Sequence, residues 1–399
     1  MERLKSDQDQ TEPKDTYKIA YGIHFLLGAG NLLPWNALIT AIDYFGHLYP
    51  DKHIEKVFSV AYMSSSLLVL VLMIKWSDLS TKVGFRTRVN FGFAMFVISL
   101  MVTPTIDWAQ NGGVSKEESC VTFYVVVASV VVCGLADGLI GGSLIGSAGK
   151  LPKEYMQAVF AGTASSGILV SLLRITTKAS LPNDPQGLKT SAHFYFIVTT
   201  SVLLICIVCC TLLYKLPVME HHHKRQLQHD HHPTSTTKLW DVARTIQWPA
   251  LAVFIIYTVT LSIFPGFLAE NLKSKLLKDW YPIMLIMTYN ISDFVGKCLT
   301  AIYMVKSVEK ATWGCVGRLL FYPLFTACLH GPNWFRSEGF VVFLTFMLGF
   351  TNGYLTSVIM ILAPKSVPAS EAEMAAIVMA LFLGMGLVSG SVLGWFWII

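Results

Sequence analysis

Apolar residues run through this chain in long stretches broken by short polar segments. Eleven of the stretches approach the ~20 residues a helix needs to cross a bilayer: roughly 19–45, 54–76, 88–108, 121–149, 153–178, 191–216, 246–270, 280–305, 312–330, 338–363 and 371–398. Each predicts a transmembrane helix, and an odd number places the two termini on opposite sides. The longest polar interval, 217–245, falls after the sixth run. The predicted organisation is an N-terminal tail (1–18), a six-helix bundle (19–216), a linker (217–245) and a five-helix bundle (246–399), all-α and polytopic.

Composition agrees with that pattern. Of 399 residues, 53% are hydrophobic and 14% charged, whereas soluble domains carry roughly 25% charged residues. With the N-terminus taken as cytoplasmic, the inside segments hold about twice as many Lys and Arg as the outside ones, which predicts a cytoplasmic N-terminus and an extracellular C-terminus. The net charge of +5 follows from the same bias and gives no reason to propose a nucleic-acid partner. Lipid is the expected surrounding, the plasma membrane the expected location, and no obligate protein partner is evident. Seven of the eight cysteines lie in or at the ends of spans, leaving Cys120 near the outer face; they read as packing residues rather than a disulfide framework. No cleavable signal precedes the first span, which is expected to act as a signal anchor. The sequon Asn290-Ile291-Ser292 sits mid-membrane and is expected to stay unglycosylated.

A few polar groups interrupt the spans. Asn290, Asp293 and Lys297 lie on one face of the eighth, with acid and base at i,i+4 in the favourable order. A charge at mid-bilayer costs about 2.5–3.5 kcal/mol on insertion scales. These groups therefore face protein or a wet cavity, either as an ion pair that fixes packing or as a site for a polar solute. Asp137 is a second intramembrane acid, and Arg174 is either its partner or a residue snorkelling to the surface. Glycines at 138, 142 and 146, and again at 386, 390 and 394, form small-residue stripes for close helix packing. In the first span, Gly28-Ala29-Gly30-Asn31-Leu32-Leu33-Pro34-Trp35-Asn36 predicts a kink at Pro34 and sets Trp35 deep in the membrane, as core packing or as a platform for a flat ligand. Phe264-Pro265-Gly266 predicts a matching break in the seventh span, Asn352-Gly353-Tyr354 a hinge in the tenth, and Ala363-Pro364-Lys365 its end. Interrupted helices in corresponding halves point to a central transporter site. The histidines from His221 to His232 suggest metal binding or pH sensing, but without fixed ligand geometry the segment reads as a flexible cytoplasmic linker, and no metal site is predicted. The basic segment Asp78–Arg88 loosely resembles the short cytoplasmic loop of major facilitator transporters.

Taken in order, Gly30-Asn31-Leu32-Leu33-Pro34-Trp35-Asn36, Gly142-Ser143-Leu144-Ile145-Gly146-Ser147-Ala148-Gly149, Asn290 through Lys297, Asn352-Gly353-Tyr354 and Pro364-Lys365 through Glu371-Ala372-Glu373 resemble the equilibrative nucleoside transporter family, plant members included. The resemblance implies a major-facilitator-like 6+5 pseudo-symmetric bundle that moves nucleosides, purine and pyrimidine, with nucleobases as a further possibility, by alternating access. It implies Leu32 and Trp35 beside the base, Met63 and Phe264 as apolar walls, and Asp293 accepting from ribose hydroxyls with Lys297 as its partner. Asn36, Asp137, Arg174 and Asn352 are gating or proton-linked candidates. No cofactor is implied beyond a proton as coupling ion, carried by Asp137 or Asp293. Two departures from the family bear on substrate range: Lys297 replaces its usual Arg, and Gly141 stands where it often has Gln. The glycine predicts shallow discrimination among bases.

Two other classes fit less well. The acids Asp137 and Asp293 would suit an intramembrane aspartyl protease, but Gly134-Leu135-Ala136-Asp137 lacks the second glycine of that signature, and no Tyr-Asp pair occurs in a neighbouring span. A channel would not need hinge-like Gly and Pro breaks. The chain reads as a transporter and not an enzyme.

Overall fold

The structure, a computed structural model, describes residues 15, 17–50, 52, 54–76, 83–109, 116–182, 184–213, 215–221, 236–270, 272, 274 and 276–396. Among these there is no strand. Its longer helices are α1 (Ile19–Thr40), α2 (Ile42–Leu48), α3 (Ile54–Lys75), α4 (Phe85–Ala109), α5 (Lys116–Lys150), α6 (Lys153–Ser180), α7 (Pro185–Leu213), α8 (Thr236–Thr245), α9 (Gln247–Ile263), α10 (Gly266–Glu270), α11 (Tyr281–Ile302), α12 (Val308–Gly317), α13 (Phe321–His330), α14 (Glu338–Leu362) and α15 (Ala372–Phe396). Eight helices among the described residues are long and apolar enough to cross a membrane, or nine if α1 and α2, bent by 44°, count as one span. Outward-facing apolar side chains are left bare: Phe91, Ile98, Val208 and Phe343 are 61%, 69%, 58% and 56% exposed. On a soluble protein such a belt would be a liability; on an integral membrane protein it is the lipid face.

Two bundles are evident from the packing. In the first, α1 lies along α6 and α7, while α3 and α4 lie along α5. In the second, α11 lies along α14, and α9 along α15 and α14. The bundles meet where α6 packs on α11 and α15 packs on α5 and α3. The glycine stripes set some of these approaches. A Cβ at Gly138 would sit 2.4 Å from the Ser66 carbonyl oxygen, and one at Gly386 would sit 2.7 Å from that of Phe254. Side chains there would force the helices apart.

Several expectations about breaks need correction. The first span does not break at Pro34, which lies inside an uninterrupted α1; the bend comes at Ala41. Asn352-Gly353-Tyr354 makes no hinge, since α14 runs unbroken from Glu338 to Leu362. Gly353 instead admits the backbone of α11, because a Cβ there would fall 2.0 Å from the Asp293 carbonyl oxygen. The break at Phe264-Pro265 does occur, between α9 and α10, and α14 ends in a short 3-10 turn over Ala363–Ser366. The ninth run is not one helix. It is α12, a 3-10 turn over Arg318–Leu320, and α13.

The interval 217–245 contains a helix. Its last ten residues form α8, which packs on α15 and buries Val242 (1% exposed), with Ile246 following at 0%. Apolar spacing on one helical face gives this piece something to fold against. The histidines from His222 to His232, and Asp78 through Lys82 of the basic loop, lie outside the described residues.

Candidate substrate site

Helix α11 brings the polar stripe of the eighth span to the contact between the bundles. Asp293 and Lys297 are 6% and 4% exposed, and Lys297 Nζ lies 2.9 Å from Asp293 Oδ2. One turn of helix separates them, so the pair forms within the element that carries it. The other carboxylate oxygen, Oδ1, accepts a hydrogen bond from Asn352 Nδ2 on α14 at 2.7 Å. Both oxygens of Asp293 are thus engaged, one by a cation and one by an amide, as a buried charge requires. Lys297 Nζ also reaches Thr163 Oγ1 on α6 at 3.4 Å, and its carbonyl oxygen accepts from Gln157 Nε2 at 3.4 Å. Gln157 Oε1 in turn accepts from the Tyr21 hydroxyl on α1 at 2.7 Å.

Asn290 makes a bundle-to-bundle contact instead. Its Nδ2 donates to the Gly167 carbonyl at 3.1 Å and to Ser171 Oγ at 2.8 Å, both on α6. Gly167 allows this approach, since a Cβ there would fall 2.7 Å from Asn290 Oδ1.

The ion pair is connected to a third charge. Arg318, 2% exposed, sits in the 3-10 turn that splits the ninth span. Its Nη1 donates to the Leu348 carbonyl at 3.1 Å and to Thr351 Oγ1, and its Nη2 donates to Thr260 Oγ1 at 2.7 Å. Thr260 Oγ1 lies 2.8 Å from Asn352 Oδ1 and donates to it. Thr260 Oγ1 also lies 2.8 Å from the Ile256 carbonyl, so its one proton is shared between two acceptors, and the orientation of Asn352 is set by its amide nitrogen donating to the Asp293 carboxylate. An Asn side chain flipped the other way would set its oxygen against the Asp293 carboxylate. The signal available in the sequence was a cation inside an apolar run with no acid nearby in the chain.

The first bundle contributes an aromatic and amide face. Trp35 is half-buried and packs on Tyr62 of α3, with ring centroids 4.7 Å apart and planes at 44°. Leu32 is also half-buried, while Met63 is 8% exposed within α3. Asn36 Nδ2 donates to Ser166 Oγ on α6 at 2.8 Å. Asp137 Oδ2 accepts from Ser66 Oγ at 2.7 Å. Arg174 does not serve Asp137: it is paired with Asp43 of α2 and reaches the Thr40 carbonyl at 3.4 Å. Phe264 stacks on Tyr289 of α11, with centroids 3.9 Å apart and planes at 19°. Gly141 faces Asn31, whose Nδ2 would lie 3.4 Å from an added Cβ. The two acids of the protease alternative have separate partners, a hydroxyl for Asp137 and a Lys–Asn pair for Asp293, with no hydrogen bond between them among the described residues.

Were a flat base to stack on Trp35, as the resemblance implies, Trp35→Ala should raise the apparent substrate constant more than Trp35→Phe, since stacking a base on an aromatic face is worth about 1–3 kcal/mol, or about 5–150-fold. Initial-rate uptake of each variant, normalised to protein in the membrane, checks this; equal effects would assign Trp35 to packing against Tyr62.

Polar bonds also tie the bundles together at each end. Glu373 of α15 pairs with Lys150 of α5, Nζ to Oε2 at 2.7 Å, and lies 3.7 Å from Arg88 Nη2 of α4. At the opposite end of α6, Lys178 Nζ donates to the Asp279 carbonyl at 2.7 Å and lies 5.4 Å from the centre of the Trp280 ring. Lys150→Glu and Glu373→Lys should each lower uptake severalfold, and the double exchange should restore much of it. Additive loss in the double variant would show that the pair does not couple the bundles.

The comparisons agree with this geometry. The chain superposes on the proton:xylose symporter XylE with a TM-score of 0.62 at 13% identity, covering 95% of this chain and 86% of that one. It superposes on the E. coli fucose:proton symporter FucP with a TM-score of 0.61 at 12% identity, covering 94% and 89%. Likeness at that identity shows a shared major facilitator fold. A family model described as "Nucleoside transporter" matches residues 127–239 and 229–399. Equilibrative nucleotide transporter 8 of Arabidopsis thaliana is 64% identical over 392 residues, covering 98% of both chains. Equilibrative nucleotide transporter 1 of the same plant is 48% identical over 398 residues, covering 97% of this chain and 88% of that one. With its transporter fold, its buried ion pair where two bundles meet, and relatives that match it almost end to end, this chain belongs to the equilibrative nucleoside transporter family.

Proposed function

We propose that this chain carries nucleosides across a membrane by alternating access, with the sugar at Asp293 and the base against Trp35. The observation that carries the reading is the position of Asp293. It is a buried carboxylate held by Lys297 and Asn352 on the helix that meets α6 of the other bundle. A carboxylate fixed by its neighbours is prepared to accept from sugar hydroxyls, and such charge-assisted hydrogen bonds are the stronger kind. A flat base and a polyhydroxylated sugar ask for this combination of aromatic surface and charged acceptor.

The layout that goes with this function has eleven crossings. Six come from α1 with α2, and from α3 to α7; five come from α9 with α10, α11, α12 with α13, α14 and α15. Residues 217–245 then connect the bundles on the cytoplasmic side, with the N-terminus on that side and the C-terminus outside. The plasma membrane is the proposed location. Split spans in the second bundle give it segments that can shift against the first.

Uptake of radiolabelled nucleoside in a transport-null host, at two external pH values and with unlabelled competitors, tests the proposal. Saturable uptake accelerated by nucleoside on the opposite side is the expected result; linear, unsaturable flux would point to a channel. Uptake that rises in acidic medium and falls with a protonophore would add a coupled proton, with Asp137 or Asp293 as its carrier. Equal uptake under all these conditions leaves facilitated diffusion.

A further inference from the structure

Asn31 lies on α1 one turn before Trp35, so the two side chains share a helix face. Asn31, Trp35 and Gly141 each keep part of their surface free, although they lie well inside α1 and α5. The amide of Asn31 points at Gly141, where an added Cβ would meet Nδ2 at 3.4 Å and Oδ1 at 3.8 Å. Its Oδ1 is buried and has no hydrogen-bond partner among the described residues. A buried amide oxygen left without a donor is costly, and Asn31 Oδ1 is the one of several such atoms among the described residues that belongs to an amide one turn from Trp35. An aromatic face with an unused amide one turn away offers a flat heteroaromatic ring both a stacking surface and an edge contact. Asn is suited to that edge because its oxygen accepts and its nitrogen donates side by side, matching the adjacent donor and acceptor that a base presents.

We infer that Asn31 is the specificity-determining residue for the base, its Oδ1 accepting from an exocyclic amine or ring N–H while Trp35 holds the ring face. The inference rests on the nucleoside reading above and adds to it the residue that discriminates. It also revises the expectation drawn from Gly141. The missing side chain at 141 does not leave the base unread; it leaves room for an amide delivered from α1. Discrimination should therefore be marked rather than shallow.

The test compares adenosine with purine riboside, the same nucleoside without its 6-amino group, as competitors of radiolabelled adenosine uptake in a transport-null host. In the native protein adenosine should compete about tenfold or more better, because the analogue leaves Oδ1 unsatisfied. Asn31→Leu should bring the two within about twofold of each other. Discrimination between adenosine and its 2′-deoxy analogue, a property of the sugar contact, should stay as in the native protein. Gly141→Gln, whose own amide N–H can satisfy Asn31 Oδ1, should narrow the difference in the same way, and it decides the matter if Asn31→Leu does not reach the membrane. Native uptake with equal competition by the two purines overturns the assignment of Asn31 alone, as does a full difference retained in well-expressed variants. Absence of saturable adenosine uptake by the native protein overturns the transport reading and this inference with it.

Discussion

Asp293→Asn is expected to remove nearly all saturable nucleoside uptake while leaving folded protein in the membrane. The substitution keeps the size of the side chain but removes the charge that holds Lys297 at 2.9 Å and accepts from Asn352 at 2.7 Å. A hydrogen bond to a charged group is worth about 1.5–3 kcal/mol, so losing the proposed sugar contact alone predicts a fall of about 10- to 150-fold. Lys297 would be left buried with only the weak 3.4 Å contact to Thr163 and neutral amide atoms. Breaking one partner of a buried pair costs about 3–5 kcal/mol. Lys297→Arg should be tolerated better than Lys297→Ala, because it keeps a cation beside the carboxylate, although the broader guanidinium must find room near Thr163. Uptake of the three variants normalised to surface protein is the measurement. Near-native uptake by Asp293→Asn would sink the site.

Arg318→Gln is expected to have an effect of similar size without touching substrate. The guanidinium holds Leu348, Thr351 and Thr260, and through Thr260 it is linked to Asn352 and so to Asp293. Losing it takes the donor from these acceptors, and each buried polar group left unsatisfied costs about 1–3 kcal/mol. Removal of a buried charge with no carboxylate bonded to it also relieves a desolvation penalty. The amount of folded protein is therefore expected to hold up better than activity. Arg318→Lys should recover little, since one ammonium cannot span three acceptors in the geometry of a planar fork. The discriminating readout is preference between ribo- and 2′-deoxynucleosides, which should weaken in Arg318→Gln if the proposed sugar contact at Asp293 depends on this chain of bonds. A variant with reduced protein and unchanged sugar preference would make Arg318 a folding residue only.

The ion pair at the centre of both predictions was legible in the chain because it is local. Asp293 and Lys297 are four residues apart on one helix, and the cost of charge in a bilayer forbids them from facing lipid. The membrane class, the close-packing glycines and the break at Phe264-Pro265 were legible for the same reason, since each is set by residues within a turn or two of one another. The position of Trp35 deep in α1 was likewise a matter of counting along a helix.

What the chain could not determine were the partners that come from elsewhere in it. Asn352 lies 59 residues from Asp293, Thr260 lies 58 residues from Arg318, and Asn290 meets α6 from more than a hundred residues away. Nothing in local spacing chooses among the acceptors available in a bundle, so the chain leaves Arg174 open between pairing with Asp137 and snorkelling, and packing gives it Asp43. The same limit explains Gly353. A glycine within an apolar run reads as a hinge or a gap, and only the neighbouring helix shows what the missing side chain admits: at Gly353, the backbone of α11. Sequence determined which groups must be kept from lipid; tertiary packing, by choosing which helices approach one another, decided what each of them holds.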